Sequence, residues 1–123
     1  MFLQLGEIVT LFFLASDDGK VGYMYYINDG TFGSFNAVVS DDWVVEGKTL
    51  FPPLDTNVEF PSMVWGPTCD SADLVEKSKS CPRLRAGDWL FYEHTGAYTS
   101  VLATRFNDPE KPDTVYFCSE ELW

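Results

Sequence analysis

A chain of 123 residues is long enough for one modest domain and too short for two sizeable cores. Its residues are 46% hydrophobic, with ten Phe, six Tyr and four Trp, which excludes a disordered chain. Nineteen acidic residues against eight basic ones give a net charge of −11, a field that repels phosphate backbones and anionic lipid. Nucleic acid and membrane surfaces are therefore set aside as partners.

The opening MFLQLGEIVTLFFLAS invites a reading as a signal peptide, but it has no positive start, carries Glu7 and is too short to span a bilayer. A buried strand, EIVTLFFLA, is the better reading. GYMYYI, FNAVV, DWVV, MVW, DWLFY, YTSVLATRF and TVYFC follow as further β-branched or aromatic runs, each a strand signal. Asp17-Asp18-Gly19, Asn28-Asp29-Gly30 and Ala86-Gly87-Asp88 supply turn residues that tolerate positive φ, and Pro52-Pro53, Pro109 and Pro112 mark loops or edges. Residues 46–61 read as a long surface connection. Only residues 71–80, SADLVEKSKS, look briefly helical, with Ser71 as a cap and Pro82 as a stop. The expected fold is all-β, a Greek-key-like barrel or sandwich with at most one short helix, forming a single domain over residues 1–123.

Three cysteines, Cys69, Cys81 and Cys118, form no CxxC pair, and an odd count fits a reduced, cytoplasmic protein better than a disulfide framework. His94 is the only histidine and has no partner at ligand spacing, so no metal site is expected. In WGPTCDSAD (residues 65–73) Cys69 follows a rigid turn and precedes Asp70. A nucleophilic thiol needs a neighbouring cation or base, and a carboxylate disfavours the thiolate, so a structural loop cysteine and a functional one both stay open. Gly96 permits close backbone approach to a ligand, and the Tyr98 hydroxyl suits an anionic group. Asp41-Asp42 reads equally as a solvated turn.

Taken together, YMYYINDGTFGSFN (23–36), WGPTCDSAD (65–73), RAGDWLFYE (85–93) and TGAYT (95–99) resemble, in order, the C-terminal β domain of eukaryotic ornithine decarboxylase. The resemblance extends over nearly the whole chain from about Gly22 onward. It implies a pyridoxal 5′-phosphate enzyme that converts ornithine to putrescine in polyamine synthesis. It further implies a homodimer, in which this domain completes an active site on the partner's barrel. That barrel carries the cofactor's lysine and lies outside these residues.

On the same resemblance Cys69 is catalytic, governing where a proton is delivered after carbon dioxide leaves. A positioned thiol can do this without being an activated nucleophile. Asp70 and Asp41 correspond to the carboxylates that bind the distal ammonium of ornithine or a similar diamino acid, and Tyr98 and Gly96 to the contact with the cofactor phosphate. Ser40 and Phe32 depart from the tyrosines of the family pattern, and His94-Thr95 from its Asn-Met, which bears on substrate packing. Two other readings compete: a non-catalytic regulatory relative of the antizyme-inhibitor type, and a freestanding amine-binding module.

Overall fold

The computed structural model describes residues 3–15, 21–52, 57–107 and 113–115. Six strands form one sheet, in the order β3-β6-β1-β2-β4-β5. They are β1 (Leu3–Ala15), β2 (Val21–Ile27), β3 (Lys48–Thr49), β4 (Glu59–Trp65), β5 (Leu74–Pro82) and β6 (Trp89–Glu93). The 13-residue β1 organises the sheet. Its first part, Leu3 to Glu7, pairs antiparallel with β6, and the part from Ile8 to Ala15 pairs antiparallel with β2. The register slips between Ile8 and Thr10, at the point where the strand changes partner. Such a slip bends the strand and raises its twist, which curls the sheet into a half barrel. Gly6 sits inside the curl, where an added Cβ would lie 2.9 Å from Ile27 Cδ1.

The concave face encloses Ile8, Tyr25, Ile27, Phe35, Val64, Leu84, Leu90 and Tyr92, all fully buried. Period-two alternation puts Tyr23, Tyr25 and Ile27 on one face of β2, and Leu90 and Tyr92 on one face of β6. Each large side chain so buried is worth about 1.5–3 kcal/mol in apolar transfer. The polar tips are matched: Leu84 N–H donates to Tyr25 Oη at 3.1 Å, and burial pushes the Tyr25 hydroxyl up to about 12. The strands expected at EIVTLFFLA, GYMYYI, MVW and DWLFY are thus present, and Gly87 takes φ +92° in its expected turn.

Five local expectations are corrected. Residues 71–80 are not helical: Leu74–Pro82 is the edge strand β5, paired antiparallel with β4 from Glu59↔Pro82 to Trp65↔Leu74. The segment has no apolar stripe at helical spacing, and pairing with β4 outweighs a serine cap. FNAVV is not a strand, because Ala37–Ser40 form the single short α-helix among the described residues, α1. Here the turn Gly30–Phe35, closed by Phe35 N–H on Gly30 O at 3.0 Å, leads directly into helical bonds and overrides two β-branched valines. DWVV runs without regular structure, and YTSVLATRF yields only a 3-10 turn at Ser100–Leu102. The connection from 46 to 61 contributes β3, which pairs with β6. Asp17-Asp18-Gly19, Pro53, Pro109, Pro112, Cys118 and most of TVYFC lie outside the described residues.

Two buried polar networks tie the loops to the sheet. Glu76 on β5 accepts from Tyr92 Oη at 2.9 Å and Gly47 N–H at 3.1 Å, and pairs with Lys79 at 3.3 Å. Lys79 also donates to Gly47 O. Burial raises the Glu76 carboxyl above the ordinary carboxylate range, against the opposing pull of Lys79 and the hydrogen bonds. The second network centres on Asp73, 0% exposed. Its Oδ1 accepts from Thr31 N–H at 2.8 Å and Thr31 Oγ1 at 3.1 Å, and its Oδ2 from Thr68 N–H at 2.9 Å. Gly30 does not use positive φ but provides space, since a Cβ there would lie 2.2 Å from Asp73 Oδ1. The same distance applies at Gly66.

Asp73→Asn places an N–H₂ against at least one of these donors and is expected to cost about 2–3 kcal/mol of unfolding free energy in urea titration. A loss below about 0.5 kcal/mol would contradict the clasp. For Glu76 the folded-state value lies above the unfolded one, so the native state binds the proton more readily. The associated stability is full below the ordinary carboxylate range and is lost as pH rises through the raised value. Glu76→Gln, which cannot ionise, is therefore expected to show a shallower fall of stability than the parent chain as pH rises out of the ordinary carboxylate range.

Candidate functional site

Three loops meet at one end of the sheet. The first, residues 28–36, leaves β2 and enters α1; the second, 66–73, joins β4 to β5; the third follows β6 from His94 to Asn107. The first loop is shaped from within by buried Asp29, whose Oδ1 accepts from Gly30 N–H at 2.8 Å and Ser34 N–H at 3.0 Å. A Cβ on Gly33 would lie 1.9 Å from that oxygen. Asp73 then joins the first loop to the second, reinforced by Thr31 Oγ1 donating to Ala72 O at 3.0 Å. Thr104 joins the third loop to the first: its N–H and Oγ1 both donate to Phe32 O, at 2.7 and 3.2 Å. Phe106 packs on Phe32 with ring centres 4.5 Å apart.

On this frame Cys69 is an exposed, free thiol. Asp70 is half-buried, and its Oδ1 accepts from Ala72 N–H at 2.8 Å, closing an Asx turn. Its second carboxylate oxygen makes no hydrogen bond among the described residues. Asp41 is exposed at the end of α1, accepting from Ser40 Oγ at 2.8 Å. Tyr98 is 70% exposed, and Gly96 is exposed beside it. Asp41 and Tyr98 line a common hollow of about 620 Å³ with Asp42, Trp43 and His94. Cys69 and Asp70 are outside that lining and stand on the clasped 66–73 loop. The five expected positions thus fall into two groups on linked loops.

The backbone is strained at this end. Asp42, His94, Tyr98 and Asn107 take φ of +51°, +61°, +54° and +59°, the only non-glycine positive values among the described residues. Such conformations cost on the order of 1–3 kcal/mol each and cluster at functional sites. Tyr98 is the costliest, because a bulky aromatic gains nothing locally in the left-handed region.

Several residues that matter here were not singled out from sequence. Asp73 and Asp29 lie inside the quoted blocks, yet spacing does not distinguish a buried carboxylate from a solvated one. The signal that could have found them is glycine: Gly30, Gly33 and Gly66 are each the close neighbour of a carboxylate oxygen. Asn107 had no signal at all, because its contact with Cys69, Nδ2 to Sγ at 3.9 Å, spans 38 residues.

Comparison with known proteins places this geometry. The family described as the pyridoxal-dependent decarboxylase C-terminal sheet domain matches residues 8–96. Ornithine decarboxylase of Caenorhabditis elegans is 52% identical over 102 residues, which are 83% of this chain and 24% of that protein. Antizyme inhibitor 2 of Xenopus laevis is 36% identical over 107 residues, 87% of this chain and 24% of that protein. Among solved structures, the lysine/ornithine decarboxylase of Vibrio vulnificus superposes with a TM-score of 0.77 at 31% identity, over 92% of this chain and 29% of that one. The arginine decarboxylase of Paramecium bursaria Chlorella virus gives 0.76 at 30% identity, over 89% and 29%. The chain therefore spans about a quarter of the length of the curated relatives it matches. With the family matched from the bend of β1 to the loop after β6, the chain belongs to the C-terminal sheet domain family of the pyridoxal-dependent decarboxylases.

Proposed function

We propose that this chain acts as the C-terminal β domain of an ornithine decarboxylase, supplying one side of a composite active site whose lysine-bearing barrel lies outside these 123 residues. The observation that carries the reading is the Cys69-Asp70 pair: a free, exposed thiol beside a carboxylate with one oxygen uncommitted among the described residues, in a chain 52% identical over 102 residues to an ornithine decarboxylase. Asp70 and Asp41 hold the distal ammonium of the substrate through charge-assisted hydrogen bonds, which select a diamino acid over a neutral one. Solved relatives bind putrescine, cadaverine and agmatine, all amines with a cationic end. Cys69 delivers a proton to the carbon that has lost carbon dioxide.

Pyridoxal 5′-phosphate, when bound, supplies the electron sink that makes loss of carbon dioxide feasible. The residues present fit one flank of that group. Tyr98 offers an exposed hydroxyl with no hydrogen bond among the described residues, and Gly96 leaves the adjoining backbone open. Asp41 and Asp42 in the same hollow repel a phosphate, so its cationic partners belong to the other subunit of a homodimer. Free Cys69 and Cys81 suit a reducing, cytoplasmic setting.

The test is carbon dioxide release from ornithine by this domain assembled with a compatible decarboxylase barrel. Cys69→Ala is expected to lower kcat by about 100-fold and reduce the fraction of turnovers ending in putrescine. Asp70→Asn is expected to lower kcat/KM by about 30- to 100-fold, mainly through KM. An inactive but verified assembly would instead favour a regulatory role, for which the 36% identity to antizyme inhibitor 2 is the motivating observation. Tight binding of putrescine to the chain alone would favour an amine-binding module.

A further inference from the structure

Resting on the reading of Cys69 as the proton donor, we propose that Asn107 is its positioning residue, holding the sulfur by the amide N–H. Asn107 Nδ2 donates to Cys69 Sγ at 3.9 Å, within reach for the large sulfur atom. The bond is reached at the cost of a left-handed backbone, φ +59° at Asn107, a conformation that asparagine tolerates better than most residues. The end of the third loop, a strap running from His94 to Asn107, is anchored independently. Thr104 donates twice to Phe32 O, Phe106 N–H donates to Thr104 Oγ1 at 3.3 Å, and the Phe106 ring packs on Phe32 at a tilt of 34°. Asn107 is therefore brought to Cys69 by contacts that do not involve Cys69.

The chemistry of a proton donor explains the arrangement. When the amide N–H occupies a sulfur lone pair, the thiol hydrogen is directed away from the strap. On transfer the S–H bond breaks, a C–H bond forms at the substrate carbon, and the electron pair stays on sulfur as thiolate, which later takes a proton from water. That thiolate appears one residue from Asp70, in a chain of net charge −11. A fixed N–H donor is the local group that stabilises it, since hydrogen bonds to an ionised partner are about twice as strong as neutral ones. No cation among the described residues is paired with Cys69.

Two variants separate the amide from the strap. Asn107→Gly removes the amide but accepts the positive φ, whereas Asn107→Asp keeps the shape and replaces the N–H donor by a carboxylate oxygen. In the free chain, alkylation of Cys69 by iodoacetamide, followed by peptide mass analysis to exclude Cys81 and Cys118, is expected to slow about 3-fold in Asn107→Gly and about 10-fold in Asn107→Asp. Urea midpoints should stay near that of the parent. In the assembled decarboxylase both variants should lower kcat while KM for ornithine changes less than about 2-fold. Alkylation equal to or faster than the parent in both variants overturns the proposal. So does unchanged kcat in an assembly where Cys69→Ala is impaired. The alkylation arm reads the contact whether or not the assembly decarboxylates, so failure of the decarboxylase reading and failure of this link give different patterns.

Discussion

Asp73 carries a carboxylate with no solvent contact, and the site end of the molecule is arranged around its two oxygens. One oxygen takes both donors of Thr31 and the other takes the backbone of Thr68, so loops 42 and 5 residues away in sequence are fixed to one point. Burying a charge is costly unless it is fully hydrogen-bonded, which is why the neighbours are so constrained. Gly30 and Gly66 have no room for a Cβ beside it, and Thr31 must be a residue with both an N–H and a hydroxyl to offer. Cys69 and Asp70 occupy the span between Thr68 and Asp73, so their position follows from the clasp.

The Glu76 network ties down β5 itself, as Asp73 ties down the loop that precedes it. Edge strands with exposed hydrogen-bonding groups are open to unwanted pairing. β5 offers a polar edge, with Lys77 and Ser78 exposed, and keeps its one buried ion pair turned toward Gly47 and Tyr92. This pins β5 to the connection before β3 and closes the side of the half barrel that strand pairing leaves open. Stability and site geometry thus share a few polar contacts set into an aromatic core.

The candidate site is chemically one-sided. Its carboxylates, one thiol and one phenol can grip an ammonium and move a proton, and they supply neither an electron sink nor a positive cradle for phosphate. Such a set is most useful when it faces a second body, where the water expelled on contact strengthens each charge-assisted bond. Of the strained residues, Asp42, His94 and Tyr98 line the hollow and Asn107 meets Cys69. Strain at such positions is retained when it directs a side chain to a place that relaxed backbone would not reach.

Strand identity for β1, β2, β4 and β6 was legible because β-branched and aromatic runs suit the pleated, half-buried surface of a sheet. The all-β class was legible on the same local grounds, whereas Cys69, Asp70, Asp41, Gly96 and Tyr98 stood out only through the resemblance of four blocks to a known family. Tertiary pairing decided the rest. Residues 74–82 became a strand because β4 offered an edge, and residues 37–40 became a helix because Asp29 and Asp73 had already set the turn before them. The burial of Asp73, the ion pair of Glu76 with Lys79 and the reach of Asn107 to Cys69 depend on contacts between distant segments. A carboxylate or an amide looks the same in sequence whether water or the folded chain satisfies it, and only the fold determines which does.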